Sequence, residues 1–142
     1  MMRKIDETIS VAPQISPADI VEIARAGFTT IVNNRPDDEE VGQPEGDAIR
    51  TVAETLGLTY VAIPITHAGF SANQVEAMAA VMDASAGPVF AYCRSGTRSC
   101  NLWALASASR GGDPAALTEK AASAGYDIAG IRPMLDALSG KA

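Results

Sequence analysis

The chain has 142 residues, 47% of them hydrophobic, and a formal net charge of -6 at neutral pH. That length buries one sizeable core and is too short for two ordinary domains, so residues 1–142 read as a single domain. The acidic balance argues against nucleic acid or an anionic membrane as the main partner, because both need a basic face, and any anion site must be a local positive pocket.

No apolar run approaches the roughly 20 residues of a spanning helix, and residues 1–9 are polar and charged, unlike a secretory signal. A cytoplasmic protein is therefore expected. Cys93 and Cys100 are the two cysteines. On a helix opened by Ser99 they lie about two turns apart, farther than an unstrained disulfide spans, so both are expected to be reduced. With His67 as the single histidine, they do not make a closed zinc shell, and neither metal nor cofactor is expected.

Strand-like and helix-like stretches alternate along the chain, which implies an α/β fold with a mostly parallel central sheet flanked by helices. Residues 7–12 form the first extended segment. Ser16, Pro17 and Asp19 then give an N-cap, a proline at the first helical position and an acid at the capping-box place, and Gly27 stops that helix. Residues 29–32 are a short β-branched strand ending in the polar loop 33–38. A second helix covers 45–56 and a strand 59–63, followed by the loop 64–70 with His67. Ser71 and Gln74 box the start of a third helix, with Val75, Met78, Val81 and Met82 on one face. Residues 88–92 form the strand that delivers Cys93. The helix after it sets Leu102, Leu105 and Ala106 against the core, with Trp103 covering one end. Asp113 and Pro114 open a further helix closed by Gly125, and 130–138 form the last. Ligands bind parallel sheets at the carboxyl ends of the strands. The loops holding Arg35 and Asp37, His67, and Cys93 should therefore meet on one edge.

The most informative segment is Cys93-Arg94-Ser95-Gly96-Thr97-Arg98-Ser99. A loop between a buried strand and a helix N-terminus points backbone N–H groups inward, where they and the helix dipole hold an oxyanion and favour a thiolate. The guanidinium of Arg98 can grip two oxygens at once, and Gly96 permits the positive φ of a close approach. The hydroxyl of Ser99 is within reach of the sulfur as a donor. Arg94, Ser95, Gly96, Thr97 and Arg98 form the expected anion cradle. The plainer reading is a cysteine buried for packing, but packing does not require a glycine, two arginines and three hydroxyls in the next six positions.

The order of elements, with the segments Ile31-Val32-Asn33-Asn34-Arg35-Pro36-Asp37, Val61-Ala62-Ile63-Pro64 and Ala91-Tyr92-Cys93 through Ser99, resembles the phosphatase-like domain of bacterial beta-lactamase hydrolase-like proteins. That family is related to the dual-specificity and tyrosine phosphatases. The resemblance implies their fold, attack of Cys93 on phosphorus, oxyanion binding by Arg98, and help from Ser99 in releasing the thiolate. Three features depart from the phosphatase pattern. Four residues, not five, separate Cys93 from Arg98, a spacing similar to the six-residue loop of rhodanese sulfurtransferases, whose cysteine carries a persulfide. Tyr92 stands where those phosphatases place a histidine. Thr66 and His67 stand where their general-acid aspartate lies.

His67 is a candidate acid, because imidazole titrates near neutrality, although a solvated loop histidine is the commoner case. Asp37 and Asp38 are alternative acids or simply turn formers beside Pro36. Arg35 either braces the Cys93 loop or pairs with a surface acid, and Arg94 either lines the site or faces solvent. Cys100 is expected in the core. The leading expectation is a cysteine-dependent phosphatase-like hydrolase of phosphate esters, on small molecules or phosphoproteins. The alternatives are a rhodanese-like sulfurtransferase, for which the resemblance implies persulfide-handling enzymes as partners, and a non-catalytic oxyanion-binding module.

Overall fold

A computed structural model of the chain describes residues 2–140. Its strands are β1 (Arg3–Asp6), β2 (Ile9–Ala12), β3 (Thr30–Asn33), β4 (Thr59–Ala62) and β5 (Val89–Tyr92). Its helices are α1 (Asp19–Arg25), α2 (Gly46–Thr55), α3 (Ala72–Ala84), α4 (Thr97–Ser109), α5 (Pro114–Ser123) and α6 (Arg132–Ser139), the last entered through a 3-10 turn at Ala129–Ile131.

The strands lie in the order β1-β2-β5-β3-β4. All neighbouring pairs are parallel except β1 and β2, so the sheet is mixed at one edge. The extended segment expected at 7–12 is thus the second arm of a hairpin. Its turn is closed by Asp6, whose Oδ1 accepts from the Thr8 N–H at 2.8 Å and the Thr8 hydroxyl at 2.6 Å, the local bonding that makes aspartate a turn former.

Helix starts follow their caps. Ser16 and Asp19 exchange hydrogen bonds, from the Ser16 N–H to Asp19 Oδ2 and from the Asp19 N–H to Ser16 Oγ. One tight turn separates that box from the regular helix, so α1 begins at Asp19. The Ser71–Gln74 box opens α3 as the sequence implies, and Asp113 accepts from the Ala116 N–H ahead of α5. The helix expected from Ser99 instead starts at Thr97. Gly96, at φ 90°, turns the chain directly from loop into helix and acts as the N-cap.

Alternation along the strands sorts the core onto two faces. Ile31, Phe90 and Tyr92 pack toward α1 and α2, while Val32, Val89 and Ala91 belong to the cluster formed with α3 to α6. Trp103 is buried inside α4 rather than covering an end, beside the buried Leu102 and Leu105. Full burial of each such large apolar side chain stabilises the fold by about 1.5–3 kcal/mol.

The register then determines the edge. Ala12 and Asn33 both pair with Tyr92, and Asn33 pairs with Ala62, so four strands end level. The segments after β2, β3, β4 and β5 consequently leave from a common line, which brings Gln14, Arg35, Ile65 and Cys93 into one neighbourhood.

Candidate active site

Cys93 follows the last residue of β5 and is fully buried at the base of its loop. Its N–H donates to the Ala12 carbonyl at 3.3 Å, which continues the β2–β5 ladder by one residue. The Gly96 N–H donates to Cys93 Sγ at 3.1 Å. The loop is cross-braced by the Ser95 hydroxyl, which donates to Thr97 Oγ1 at 3.0 Å, and by the Tyr126 hydroxyl, which donates to the Ser95 carbonyl at 3.2 Å. The sulfur therefore sits against an inward N–H at the positive end of α4, an arrangement that stabilises negative charge.

Arg98 enters from the first turn of α4. Its Nη1 donates to Glu39 Oε2 and to the Ile65 carbonyl, each at 2.7 Å, and its Nη2 donates to Glu39 Oε1 at 2.8 Å. Glu39 is itself held by the Arg35 Nε at 2.8 Å. The hydrogen bonds from Arg98 and then Arg35 hold the Glu39 carboxyl far below the usual carboxylate range, at about 2, against the opposing effect of burial. Glu39 in turn raises the basicity of Arg98, as does the nearby Cys93 sulfur. The end of the Arg98 fork is thus occupied by Glu39.

Arg35 is 3% exposed, and its ion-pair partners are Glu39 and the exposed Glu40. It braces Glu39 and also donates to Gln14 Oε1 at 3.1 Å and Glu40 Oε1 at 3.4 Å. Arg94 is exposed and pairs with Glu40 Oε2 at 3.5 Å. Ser99 is buried under the loop and its hydroxyl donates to Asn34 Oδ1 at 2.7 Å, which ties α4 to the end of β3. Asp37 caps α2, its Oδ1 accepting from the Gly46 N–H at 2.8 Å. His67 is exposed on the 66–69 turn, two residues beyond the carbonyl that Arg98 grips. Cys100 is buried, free, and pushed up to about 12, by burial first and then by the Cys93 sulfur. Groups of three or more metal-ligating side chains are absent among the described residues. Likewise, no described helix is long and apolar enough to cross a membrane.

The structure adds Gln14, Asn34, Glu39 and Tyr126 to the residues singled out in the sequence. Glu39 had one available signal. Two arginines brought to a common buried edge require a counter-charge, and the run Asp37-Asp38-Glu39-Glu40 supplies it.

A level sheet edge that presents a cysteine and an arginine on one short loop at a helix N-terminus defines the class of the cysteine phosphatase-like domains. The chain belongs to the family of the phosphatase-like domain of beta-lactamase hydrolase-like proteins, whose model matches residues 1–110. It is 35% identical over 105 residues to the beta-lactamase hydrolase-like protein of Agrobacterium fabrum, a match that covers 74% of this chain and 24% of that protein. The chain is thus similar to about a quarter of that relative. Its structure is similar to the crystal structure of a proposed phosphatase from Neisseria meningitidis, with a TM-score of 0.82, 34% identity and 96% of each chain covered. At 20% identity and a TM-score of 0.72, the active form of Tk-PTP shares the fold over 99% of this chain and 97% of its own.

Proposed function

We propose that this domain is a phosphatase-type group-transfer enzyme in which the Cys93 thiolate attacks an oxyanionic substrate. The observation that carries the reading is the Gly96 N–H aimed at Cys93 Sγ beside Arg98 and the α4 N-terminus. On a phosphate ester, Cys93 Sγ forms a bond to phosphorus, the ester P–O bond breaks with its electron pair leaving on the alcohol oxygen, and water then hydrolyses the phosphocysteine. Glu39 stays ionised between two arginines and Asp37 accepts from the Gly46 N–H at the start of α2, and this reading takes His67, on the adjoining loop, as the proton donor. The reading therefore favours esters whose leaving group departs with little protonation.

Two observations favour a second reading, transfer of sulfur. The Cys93–Arg98 loop has four intervening residues, and the Glu39 carboxyl beside it is held ionised by Arg98 and Arg35 rather than protonated as an acid. With thiosulfate, Cys93 Sγ bonds to the outer sulfur while the S–S bond breaks with its pair leaving on sulfite. A persulfide remains on Cys93 for a thiol acceptor. Sulfite leaves without a proton, so this chemistry requires nothing beyond the cradle. Purified protein given an aryl phosphate and thiosulfate in separate assays divides the two. Turnover of the first alone supports hydrolysis, and turnover of the second alone supports sulfur transfer. Turnover of neither, with sulfate still bound, refutes both.

A further inference from the structure

We propose that Tyr126 is a positioning residue for the Cys93 sulfur, acting through the peptide that joins Ser95 to Gly96. The proposal rests on Cys93 as the nucleophile. The Tyr126 hydroxyl donates to the carbonyl of that peptide at 3.2 Å, and the N–H at its other end donates to Cys93 Sγ at 3.1 Å. In a planar trans peptide the C=O and N–H point in opposite directions, so a bond that fixes one fixes the aim of the other.

This peptide is the part of the loop that most needs fixing. Gly96 sits at φ 90°, and glycine occupies positive and negative φ with similar ease, so the preceding peptide rotates at small cost. Rotation would swing the Ser95 carbonyl oxygen toward the sulfur and replace a donor with an acceptor. That acceptor repels both a thiolate and a bound oxyanion. Tyr126 is seated directly against the outside of the turn. A Cβ built on Gly96 would lie 2.2 Å from its hydroxyl oxygen.

The segment after α5 holds the tyrosine in place, its N–H donating to the Ala121 carbonyl at 2.9 Å. Tyr126 lies beyond residues 1–110, so the family match does not assign it. The titratable and charged groups interacting with the sulfur are Arg98, Cys100 and Tyr126 itself, and Arg3 lies near the phenol. Burial raises the Tyr126 phenol above its ordinary value, which keeps it a donor through the neutral range.

The test compares wild type, Tyr126→Phe and Tyr126→Leu, with thermal melts to verify folding. The readouts are the pH profile of Cys93 alkylation by iodoacetamide and the affinity for sulfate by calorimetry. Loss of one orienting hydrogen bond should slow alkylation at about pH 6 by roughly two- to tenfold, move the profile to higher pH, and weaken sulfate binding by a similar factor. Both variants should show these losses, because both lack the hydroxyl. Tyr126→Phe profiles that superimpose on wild type overturn the proposal, including the case in which Tyr126→Leu alone is impaired and ring packing is responsible. A wild-type Cys93 no more reactive than Cys100 would instead overturn the proposed function, and is read from the wild-type arm alone.

Discussion

Replacing Glu39 by Gln keeps the shape of the side chain and removes the charge that joins Arg98 to Arg35. The carboxyl is held at about 2 against an ordinary 4.5. A difference of this size corresponds to about 3 kcal/mol of preference for the charged form. Because the side chain is 19% exposed, water screens part of it, and about 2 kcal/mol is the expected loss at neutral pH. For a chain of this size that is a fall in Tm of roughly 4–8 °C. The sign with pH is fixed, since the folded value is depressed. The contribution is complete above the ordinary carboxylate range and is lost as pH falls from about 4.5 toward about 2. Urea unfolding of wild type and Glu39→Gln at a series of pH values should therefore give curves separated at neutral pH that converge in acid, where protonated Glu39 resembles glutamine. A separation below about 0.5 kcal/mol at neutral pH, within the range of ordinary surface substitutions, would refute the account of this carboxylate. So would a separation that stays constant into acid.

Iodoacetamide near neutral pH should label Cys93 and spare Cys100, whose thiol burial pushes up to about 12, and peptide mapping reads the ratio. Equal labelling would show that the loop does not distinguish its cysteine. Arg98→Lys should weaken sulfate binding by about tenfold or more although the charge remains, because lysine cannot hold Glu39 and the Ile65 carbonyl while facing the anion, and calorimetry measures the loss. His67→Ala should slow hydrolysis of an alkyl phosphate by about 10²-fold or more if His67 donates the proton, and should leave thiosulfate turnover unchanged. An equal effect on alkyl and aryl phosphates would remove His67 as the donor.

Much of the fold was readable because local rules and long-range packing agree. The Ser71–Gln74 box, the Asp113–Pro114 start and the β-branched strand ahead of Asn33 each appear where their chemistry places them. The hairpin was less visible, since the segment expected at 7–12 covers only the second strand, whereas the first lies in the polar stretch before it and its turn shows only once Asp6 is seen to bond two positions ahead. The start of α4 was misplaced because serine is a common N-cap, whereas here a left-handed glycine takes the position. At the site, motif spacing sufficed to nominate Cys93, Gly96 and Arg98. Glu39 and Asn34, from the segment after β3, and Tyr126, after α5, reach the same edge although separated from the loop by tens of residues, and only strand register and the return of the chain after α5 bring them there.

The central claim is that Cys93 carries the transferred group, and mass spectrometry of the quenched protein tests it most directly. After brief exposure to an aryl phosphate or to thiosulfate, the peptide containing Cys93 should gain the mass of one phosphoryl group or one sulfur atom. Cys93→Ser protein should fold normally, show no adduct and lose turnover. Full turnover by Cys93→Ser, or an adduct found on Cys100 with Cys93 unmodified, would contradict the account.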